Sequence, residues 1–174
     1  KDPVDVCDTP DLDAGELEIE PERTDSTVPQ ISSDSNGHVY VVWQDEFTRP
    51  PTCPGFTRDL ITNPYISMYS SPDYGSTWVF NRLNSDPSAV ARFPRISNDQ
   101  NGHVYVVWDD SRNGATDIYF NRSLNYGVTW AGDVNLDTNG LGVSASVSHQ
   151  ISNDASGRVY VVWQDYRSSG KADI

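Results

Sequence analysis

The sequence predicts an all-β protein built from repeated antiparallel sheets. The main observation is a segment that occurs three times with almost the same residues, as ISSDSNGHVYVVWQD, ISNDQNGHVYVVWDD and ISNDASGRVYVVWQD. The copies begin at Ile31, Ile96 and Ile151, so equivalent positions lie 65 and 55 residues apart. Intervals of this length suit a unit of about four strands. We therefore expect an array of sheets, one for each copy.

Each copy is expected to contain a β-hairpin. The tetrapeptides at 34–37, 99–102 and 154–157 each begin with Asp and end in Asn-Gly or Ser-Gly. These pairs supply the positive φ angle that tight hairpins require. The first strand is then Pro-Gln-Ile-Ser or its equivalent, and the second strand is Val-Tyr-Val-Val-Trp.

The second strand is apolar on both faces. In the first copy Val39, Val41 and Trp43 alternate with Tyr40 and Val42, so bulky side chains point to both sides. Antiparallel sheets commonly leave one face in water. The pattern therefore predicts sheets that stack against one another around a centre.

A second motif follows the hairpins. It reads SPDYGSTW from Ser71 and SLNYGVTW from Ser123, and matches Ser-x-Asp-x-Gly-x-Thr-Trp. With these motifs the chain resembles the BNR/Asp-box repeat family, which is built on the sialidase-type β-propeller. The resemblance implies a β-propeller of four-stranded antiparallel blades, of which this chain forms a partial ring. We call residues 71–78 and 123–130 the Asp-box segments; their motif residues are Ser71, Asp73, Gly75, Trp78, Ser123, Asn125, Gly127 and Trp130.

The Asp-box residues have expected structural roles. The Asp or Asn side chain can bond backbone amides within the turn, and Gly takes a conformation that is closed to other residues. The Trp is expected to pack between neighbouring sheets.

The resemblance also implies an order of strands. In the first blade the strands are expected around Ile31, around Val41, at Tyr65 to Tyr69 and at Thr77 to Leu83. In the second blade they are expected at Ile96, Val106, Asp117 to Phe120 and Trp130. The expected divisions are an acidic N-terminal segment (1–27), a first blade with a Cys-bearing insertion (28–92), a second blade (93–147) and an incomplete third blade (148–174).

The third blade stops at the start of its third strand, because residues 171–174 align with residues 115–118. We expect polypeptide outside these residues to complete it, either the rest of the same gene product or another subunit.

Composition limits the partners. The chain has 174 residues, with 12 Lys plus Arg against 25 Asp plus Glu, and a net charge of -13. This balance argues against nucleic acid, which requires a basic surface. No apolar run is long enough to predict a membrane span. A solvated acidic surface explains the charge, and cation binding or adaptation to salt are the alternatives.

The two cysteines, Cys7 and Cys53, lie in segments with little else to hold them. They predict a disulfide in an exported protein, which is therefore secreted, on the cell surface or periplasmic. Two Cys and three dispersed His do not supply a zinc site. No cofactor is expected, although Ca²⁺ stays an option.

Candidate ligand-binding residues follow the repeated strand. Asp45, Asp110 and Asp165 occur once per blade just after the Trp, and Arg112 and Arg167 follow in two copies. By the resemblance they lie on the face that carries the ligand site in such propellers. A ring of carboxylates could hold a cation or sugar hydroxyls. Alternatively, each Asp caps its strand end and pairs with the nearby Arg.

The histidines do not indicate a cluster. His38 and His103 occupy one repeat position beside the hairpin Gly and are expected to be exposed turn residues. His149 stands where Pro29 and Pro94 stand in the other copies.

Two classes of function are compatible with the resemblance. The first is a noncatalytic extracellular propeller that binds glycan or protein or builds a surface assembly, which the near identity of the blades favours. The alternative is a fragment of a sialidase-like glycoside hydrolase whose catalytic residues lie in missing blades. Arg92, in Ala91-Arg92-Phe93-Pro94, loosely resembles the Phe-Arg-Ile-Pro element that binds the substrate carboxylate in sialidases. No set of nucleophile and acid accompanies it, so no catalytic residue is assigned.

Overall fold

The structure, a computed structural model, describes residues 24–47, 63–137, 144–168 and 171–174. These residues form three antiparallel β-sheets and no helix. The expectation of an all-β protein with repeated sheets is confirmed. In this described part of the chain there is accordingly no helix with the length and apolar character to cross a membrane.

The strands follow the chain in order within each sheet. The first sheet contains β1 (Thr24–Ser33), β2 (Val39–Phe47), β3 (Tyr65–Ser71) and β4 (Val79–Arg82). The second contains β5 (Ala91–Asn98), β6 (Val104–Asp110), β7 (Asp117–Ser123) and β8 (Val134–Asn135). The third contains β9 (Ser146–Asn153), β10 (Val159–Ser168) and β11 (Lys171–Asp173). Neighbours along the chain are hydrogen-bonded neighbours in the sheet, as the four-strand order predicts.

One predicted strand is misplaced. The fourth strand of the second sheet was expected at Trp130, but β8 begins at Val134. The Trp130 indole instead donates a hydrogen bond to the carbonyl of Gly127 (3.1 Å), inside its own turn. The second Asp-box segment is therefore closed by its Trp before the strand begins.

The predicted hairpin turns are present in all three sheets. Oδ1 of Asp34 accepts hydrogen bonds from the backbone amides of Asn36 (2.9 Å) and His38 (3.0 Å). Asp99 and Asp154 make the same contacts in their turns. Gly102 has φ of 84°, and a Cβ there would lie 2.5 Å from the Tyr126 ring. Glycine is required at this position both for its φ and for the close approach of the ring.

The sheets stack through apolar faces. Tyr40, Val42 and Met68 of the first sheet share one buried cluster with Val106 and Trp108 of the second. The first strands contact one another in series, β1 with β5 and β5 with β9. The first strands thus lie at the centre of a fan of sheets, and the later strands lie towards its outside.

Polar contacts between sheets also repeat. The hydroxyl of Ser32 donates to the Asn98 side chain of the second sheet, and the hydroxyl of Ser97 donates to the Asn153 side chain of the third. These pairs occupy equivalent positions, so the same interface is built twice.

Burial differs between the copies of the repeated strand. All seven residues of β6 are buried, because a sheet covers each of its faces. In β10, Tyr160 is 52% exposed and Val162 is 53% exposed. Burial on both faces is therefore confirmed for β6 and is wrong for β10, which has a neighbouring sheet on one side only among the described residues.

Candidate functional site

Two of the predicted ligand-binding carboxylates, Asp45 and Asp110, are buried and hydrogen-bonded within their own sheets. The Trp43 indole donates to Oδ1 of Asp45 (2.6 Å), and the hydroxyls of Ser26 and Ser67 donate to the same carboxylate. The Trp108 indole likewise donates to Oδ2 of Asp110 (3.0 Å). The Trp-x-Asp spacing thus places the carboxylate against its own Trp, at the end of the strand.

Asp110 also binds Arg112. The guanidinium donates from Nε to Oδ1 (3.0 Å) and from NH2 to Oδ2 (2.7 Å). It also contacts Asp133 (2.8 Å) and lies over the Tyr119 ring, 4.1 Å from its centroid. Burial lowers the pKa of Arg112, but the hydrogen bonds and charges of the two carboxylates raise it by more, so the net shift is upward. The predicted pairing of Asp and Arg is observed here.

The three repeat carboxylates occupy the same register position. Asp45 pairs with Tyr65 and Asp110 with Asp117, each the first residue of its third strand, and Asp165 pairs with Asp173, the last residue of β11. No three His, Cys, Asp or Glu side chains in the described ranges are arranged to hold a metal ion. The structure therefore does not bring Asp45, Asp110 and Asp165 together as a metal cluster. The side chain of Arg167 lies outside the described residues.

The central strands carry a feature that the sequence analysis missed. β1, β5 and β9 each break register at one equivalent point. The residues there are Val28 (φ 48°), Phe93 (φ 54°) and Ser148 (φ 58°). Left-handed φ is uncommon outside glycine and costs free energy. Three β-bulges on the three central strands thus form a repeated row, and bulges of this kind often re-aim side chains beside active sites.

Each bulge of the second and third sheets is held by the sheet before it. The amide of Phe93 donates to Oε1 of Gln44 (3.3 Å), which belongs to β2. At the next interface Asp109 of β6 stands at the position of Gln44, and its Oδ1 lies 2.6 Å from Nδ1 of His149. The end of each second strand therefore reaches across to the following bulge.

His149 is a buried link between two sheets. Its side chain is 2% exposed, and Nε2 lies 2.7 Å from the carbonyl of Phe93 while Nδ1 contacts Asp109. Because a carbonyl oxygen only accepts, Nε2 carries a hydrogen and donates it. Both partners of His149 are distant in sequence, so its repeat position beside Pro29 and Pro94 did not reveal them.

The other two histidines are also bonded. Nδ1 of His38 lies 2.7 Å from Asp34, and Nδ1 of His103 lies 2.7 Å from Asp99. Their side chains are 16% and 32% exposed, so both residues lie at the hairpin turns as expected but are partly buried. Burial raises the pKa of Asp34, but hydrogen bonds from the His38 side chain and backbone and from the Asn36 amide lower it below its usual value.

Arg92 and Phe93 are exposed at the bulge of the central strand β5. Phe93 presents an aromatic ring, and Arg92 presents a planar set of donors that can bind carboxylate or hydroxyl oxygens. The resemblance to Phe-Arg-Ile-Pro singled out Arg92, but the sequence did not reveal the left-handed bulge at Phe93 beside it, because a residue before proline is normally extended. The available signal was Pro29, Pro94 and His149 at one repeat position, where proline would interrupt a regular ladder.

The Asp-box segments form the predicted local turns. The Thr77 amide donates to Oδ1 of Asp73 (2.7 Å), and the Thr129 amide donates to Oδ1 of Asn125 (2.9 Å). Hydrogen bonds from the Thr77 backbone and hydroxyl lower the pKa of Asp73. Tyr74 donates its backbone amide to the Gly37 carbonyl (2.8 Å), so hairpin turn and Asp-box segment share one face.

The two Asp-box tryptophans differ. Trp130 packs against the buried cluster between the sheets, as expected. Trp78 is 43% exposed and lies against the Tyr69 ring, at 6.2 Å between centroids. The predicted packing between sheets is thus wrong for Trp78, whose sheet has no neighbour on that side among the described residues. Cys7 and Cys53 lie outside the described residues, and their disulfide stays a prediction.

The fan of sheets resembles solved glycoside hydrolases. An α-L-arabinanase of Penicillium chrysogenum, complexed with arabinobiose, matches 85% of this chain and 44% of its own length with a TM-score of 0.50 and 14% identity. The Hadza microbial sialidase Hz136 matches 84% of this chain and 36% of its own length, again with a TM-score of 0.50 and 14% identity. The described sheets therefore have the fold of a partial β-propeller. The chain spans less than half the length of either enzyme. No protein-family model and no curated protein sequence matches the chain.

Proposed function

We propose that these sheets form a noncatalytic part of an extracellular BNR/Asp-box propeller that binds glycan at its central strands. The observation that carries the proposal is the state of the repeat carboxylates. Asp45 and Asp110 are buried, and indole, hydroxyl or guanidinium donors occupy their oxygens.

Cleavage of a glycosidic bond requires carboxyl groups, or an equivalent nucleophile and acid, that reach the scissile bond. A carboxylate fixed under its own Trp and Arg does not reach a substrate. These hydrogen bonds give Asp45 and Asp110 a structural role at the ends of their strands. This supports a structural assignment of Asp45 and Asp110.

The binding part of the proposal rests on the bulge of β5. Phe93 is 46% exposed and follows the exposed Arg92. An aromatic ring packs on the apolar face of a sugar ring, and a guanidinium donates to sugar oxygens or to a sugar carboxylate. The bulge places both groups on a central strand, where the sheets converge.

The alternative is a fragment of a sialidase-like glycoside hydrolase with its catalytic residues in further blades. The observation that favours it is that both matched structures are glycosidases, a sialidase and an arabinanase. In either case we propose that further polypeptide completes the propeller and that no cofactor is needed. We also propose that the protein is secreted, on the cell surface or periplasmic, and that Cys7 and Cys53 form a disulfide.

A hydrolysis assay on the complete propeller, including the polypeptide that supplies its further blades, separates the two functions. The protein is incubated with a fluorogenic sialoside and a chromogenic arabinofuranoside, alongside Arg92→Ala and the matched control Arg122→Ala, which removes an exposed arginine of β7. We expect no turnover from any variant. Turnover by the wild type would contradict the noncatalytic assignment, and its loss in Arg92→Ala but not in Arg122→Ala would give Arg92 a role in the reaction.

A binding assay tests the proposed role of the bulge. Sialyllactose and arabinobiose are titrated against the chain by NMR, with Arg92→Ala and Arg122→Ala as before. We expect resonances of Phe93 and its neighbours to shift with at least one sugar and to stop shifting in Arg92→Ala. Shifts elsewhere on the surface, or none with either sugar, would contradict it.

A further inference from the structure

The described residues form a fan with two open sheet faces, one on the first sheet and one on the third. The open face of the third sheet carries Tyr160 and Val162, with Gln164 next on the same side of β10. The open face of the first sheet carries Ile31, Val41, Trp43, Tyr69 and Phe80. Both faces are apolar, and Ile31 is 71% exposed.

The open face of the third sheet is equivalent to a face that is covered twice elsewhere in the chain. Tyr40 and Val42 of the first sheet are 0% exposed under the second sheet. Tyr105 and Val107 of the second sheet, at the same positions, are also buried. The same residue types, Tyr and Val, therefore become exposed only where no next sheet lies over them.

The open face of the first sheet is equivalent to the surface that covers the others. In the second sheet Val106 and Trp108 are fully buried against the first sheet, and Ile96 packs against the same cluster. Ile31, Val41 and Trp43 are the residues at those positions in the first sheet. The two open faces are thus the two halves of the interface that the chain already builds between its sheets.

We propose that the chain associates head to tail with a second copy of itself, with the open face of the third sheet packing on the open face of the first sheet of the second copy. This contact would join the same two kinds of sheet face that already pack together between neighbouring sheets within one copy. The inference deepens the proposed completion of the propeller by further polypeptide and rests on it, while glycan binding is tested separately above.

Polar groups fit the same arrangement. Gln164 stands at the position of Gln44, whose side chain accepts from the bulge amide of Phe93. In the second copy the equivalent bulge residue is Val28, which has the same left-handed φ. Gln164 therefore aligns with a bulge amide in the interface with the second copy.

A contact near the turns also has an equivalent. The His38 ring of the first sheet packs against the Tyr126 ring of the second, with 4.3 Å between ring centroids and a tilt of 32°. At the open ends the corresponding residues are Arg158 and Tyr74, and Tyr74 is 79% exposed. A guanidinium over a tyrosine ring is a favourable pair, so this replacement keeps the contact.

The stoichiometry is compatible with a closed ring. The described residues of each copy form two four-stranded sheets and one three-stranded sheet, so two copies bring together six sheets, within the range of about 4 to 8 blades that propellers contain. A heterologous contact closes into a ring when its rotation permits. Each copy carries a net charge of -13, so the copies repel, and salt should strengthen their association by screening.

The test is sedimentation velocity on the 174-residue chain from low micromolar to high concentration, with two blocking variants. Val162→Glu blocks the open face of the third sheet, and Ile31→Glu blocks that of the first. Leu124→Glu, in the exposed second Asp-box segment away from both faces, is the matched control. Circular dichroism and thermal melting confirm that each variant stays folded.

We expect the wild type and Leu124→Glu to form dimers that strengthen with salt. Each blocking variant should weaken association about tenfold or more, because a carboxylate would be buried without a partner. An equimolar mixture of Val162→Glu and Ile31→Glu should regain a dimer, since one contact then joins two unblocked faces. The inference is overturned by a wild type that stays monomeric at every concentration. It is equally overturned by dimers that only one variant weakens, or by a mixture that regains nothing.

Discussion

Strands β6 and β10 have nearly the same sequence and opposite surroundings. Both begin Val-Tyr-Val-Val-Trp and both lie in antiparallel pairs with the preceding strand. In β6 every side chain is buried, whereas Tyr160 and Val162 of β10 are about half exposed. Local sequence therefore decides that the strand forms, and the neighbouring sheets decide whether its faces are buried. The contribution of a residue of the repeat to the free energy of unfolding therefore differs from one sheet to another.

Among the equivalent residues of the sheets, the tryptophan of the repeated strand is expected to show the largest difference in its contribution to the free energy of unfolding. Trp108 is fully buried between two sheets, and Trp43 has a sheet on one side only. Trp108→Ala should lower the free energy of unfolding by about 3 to 5 kcal/mol, and Trp43→Ala by clearly less, since half of its surroundings are missing. Urea denaturation measures both. Equal losses would show that covering Trp108 with the first sheet adds nothing to stability.

The next effect concerns the carboxylate that follows the tryptophan. Asp110 holds the partly buried Arg112, whereas Asp45 accepts only from neutral donors among its described contacts. Asp110→Asn should cost roughly 3 kcal/mol, because it leaves a buried guanidinium with one charged partner, Asp133. Asp45→Asn should cost about 1 to 2 kcal/mol. A larger loss at Asp45 would reverse the assignment of the charged pair as the stronger one.

The interface between the second and third sheets provides a more specific test, with a smaller expected change in the free energy of unfolding. His149 and Asp109 contact each other across that interface. In a double-mutant cycle with His149→Gln and Asp109→Asn, we expect a coupling free energy of about 1 kcal/mol or more. Additive effects would mean that the contact does not hold the third sheet.

Sequence analysis correctly predicted the local features and missed the features that depend on neighbours. Hairpin turns follow from Asp-x-Asn-Gly, and the Asp-box turns from Ser-x-Asp-x-Gly, because those contacts lie within a few residues. The bulges at Val28 and Phe93 were missed, since a residue before proline normally stays extended and tertiary contacts impose the left-handed φ. The buried link at His149 was missed because its partners, Asp109 and the Phe93 carbonyl, are 40 and 56 residues away.

The smallest difference between the sheets is expected in the pH-dependent stability that the Asp residues of their hairpin turns contribute. Asp34, Asp99 and Asp154 have lowered pKa values in all three sheets. At Asp154 the largest cause is the hydrogen bond from the Arg158 amide, and at Asp34 and Asp99 hydrogen bonds overcome the opposing effect of burial. A lowered folded-state pKa contributes stability above the unfolded value of about 4, which is lost as pH falls through the folded value. Thermal melting below about pH 5 should therefore show falling stability with broadly equal contributions from the three turns. A single Asp→Asn variant that removes most of the pH dependence of the whole protein, while the other two variants remove little, would contradict this.

The most direct test of the comparison is hydrogen exchange measured by mass spectrometry on peptides from β6 and β10. At low concentration, where the chain is monomeric, we predict that amides of Val104–Asp110 exchange much more slowly than those of Val159–Ser168, because only β6 is enclosed on both faces. At high concentration β10 should gain protection as its open face is covered, while β6 stays unchanged. Equal protection of the two strands in the monomer would contradict the claim that neighbouring sheets, and not the repeated sequence, determine how this strand is held.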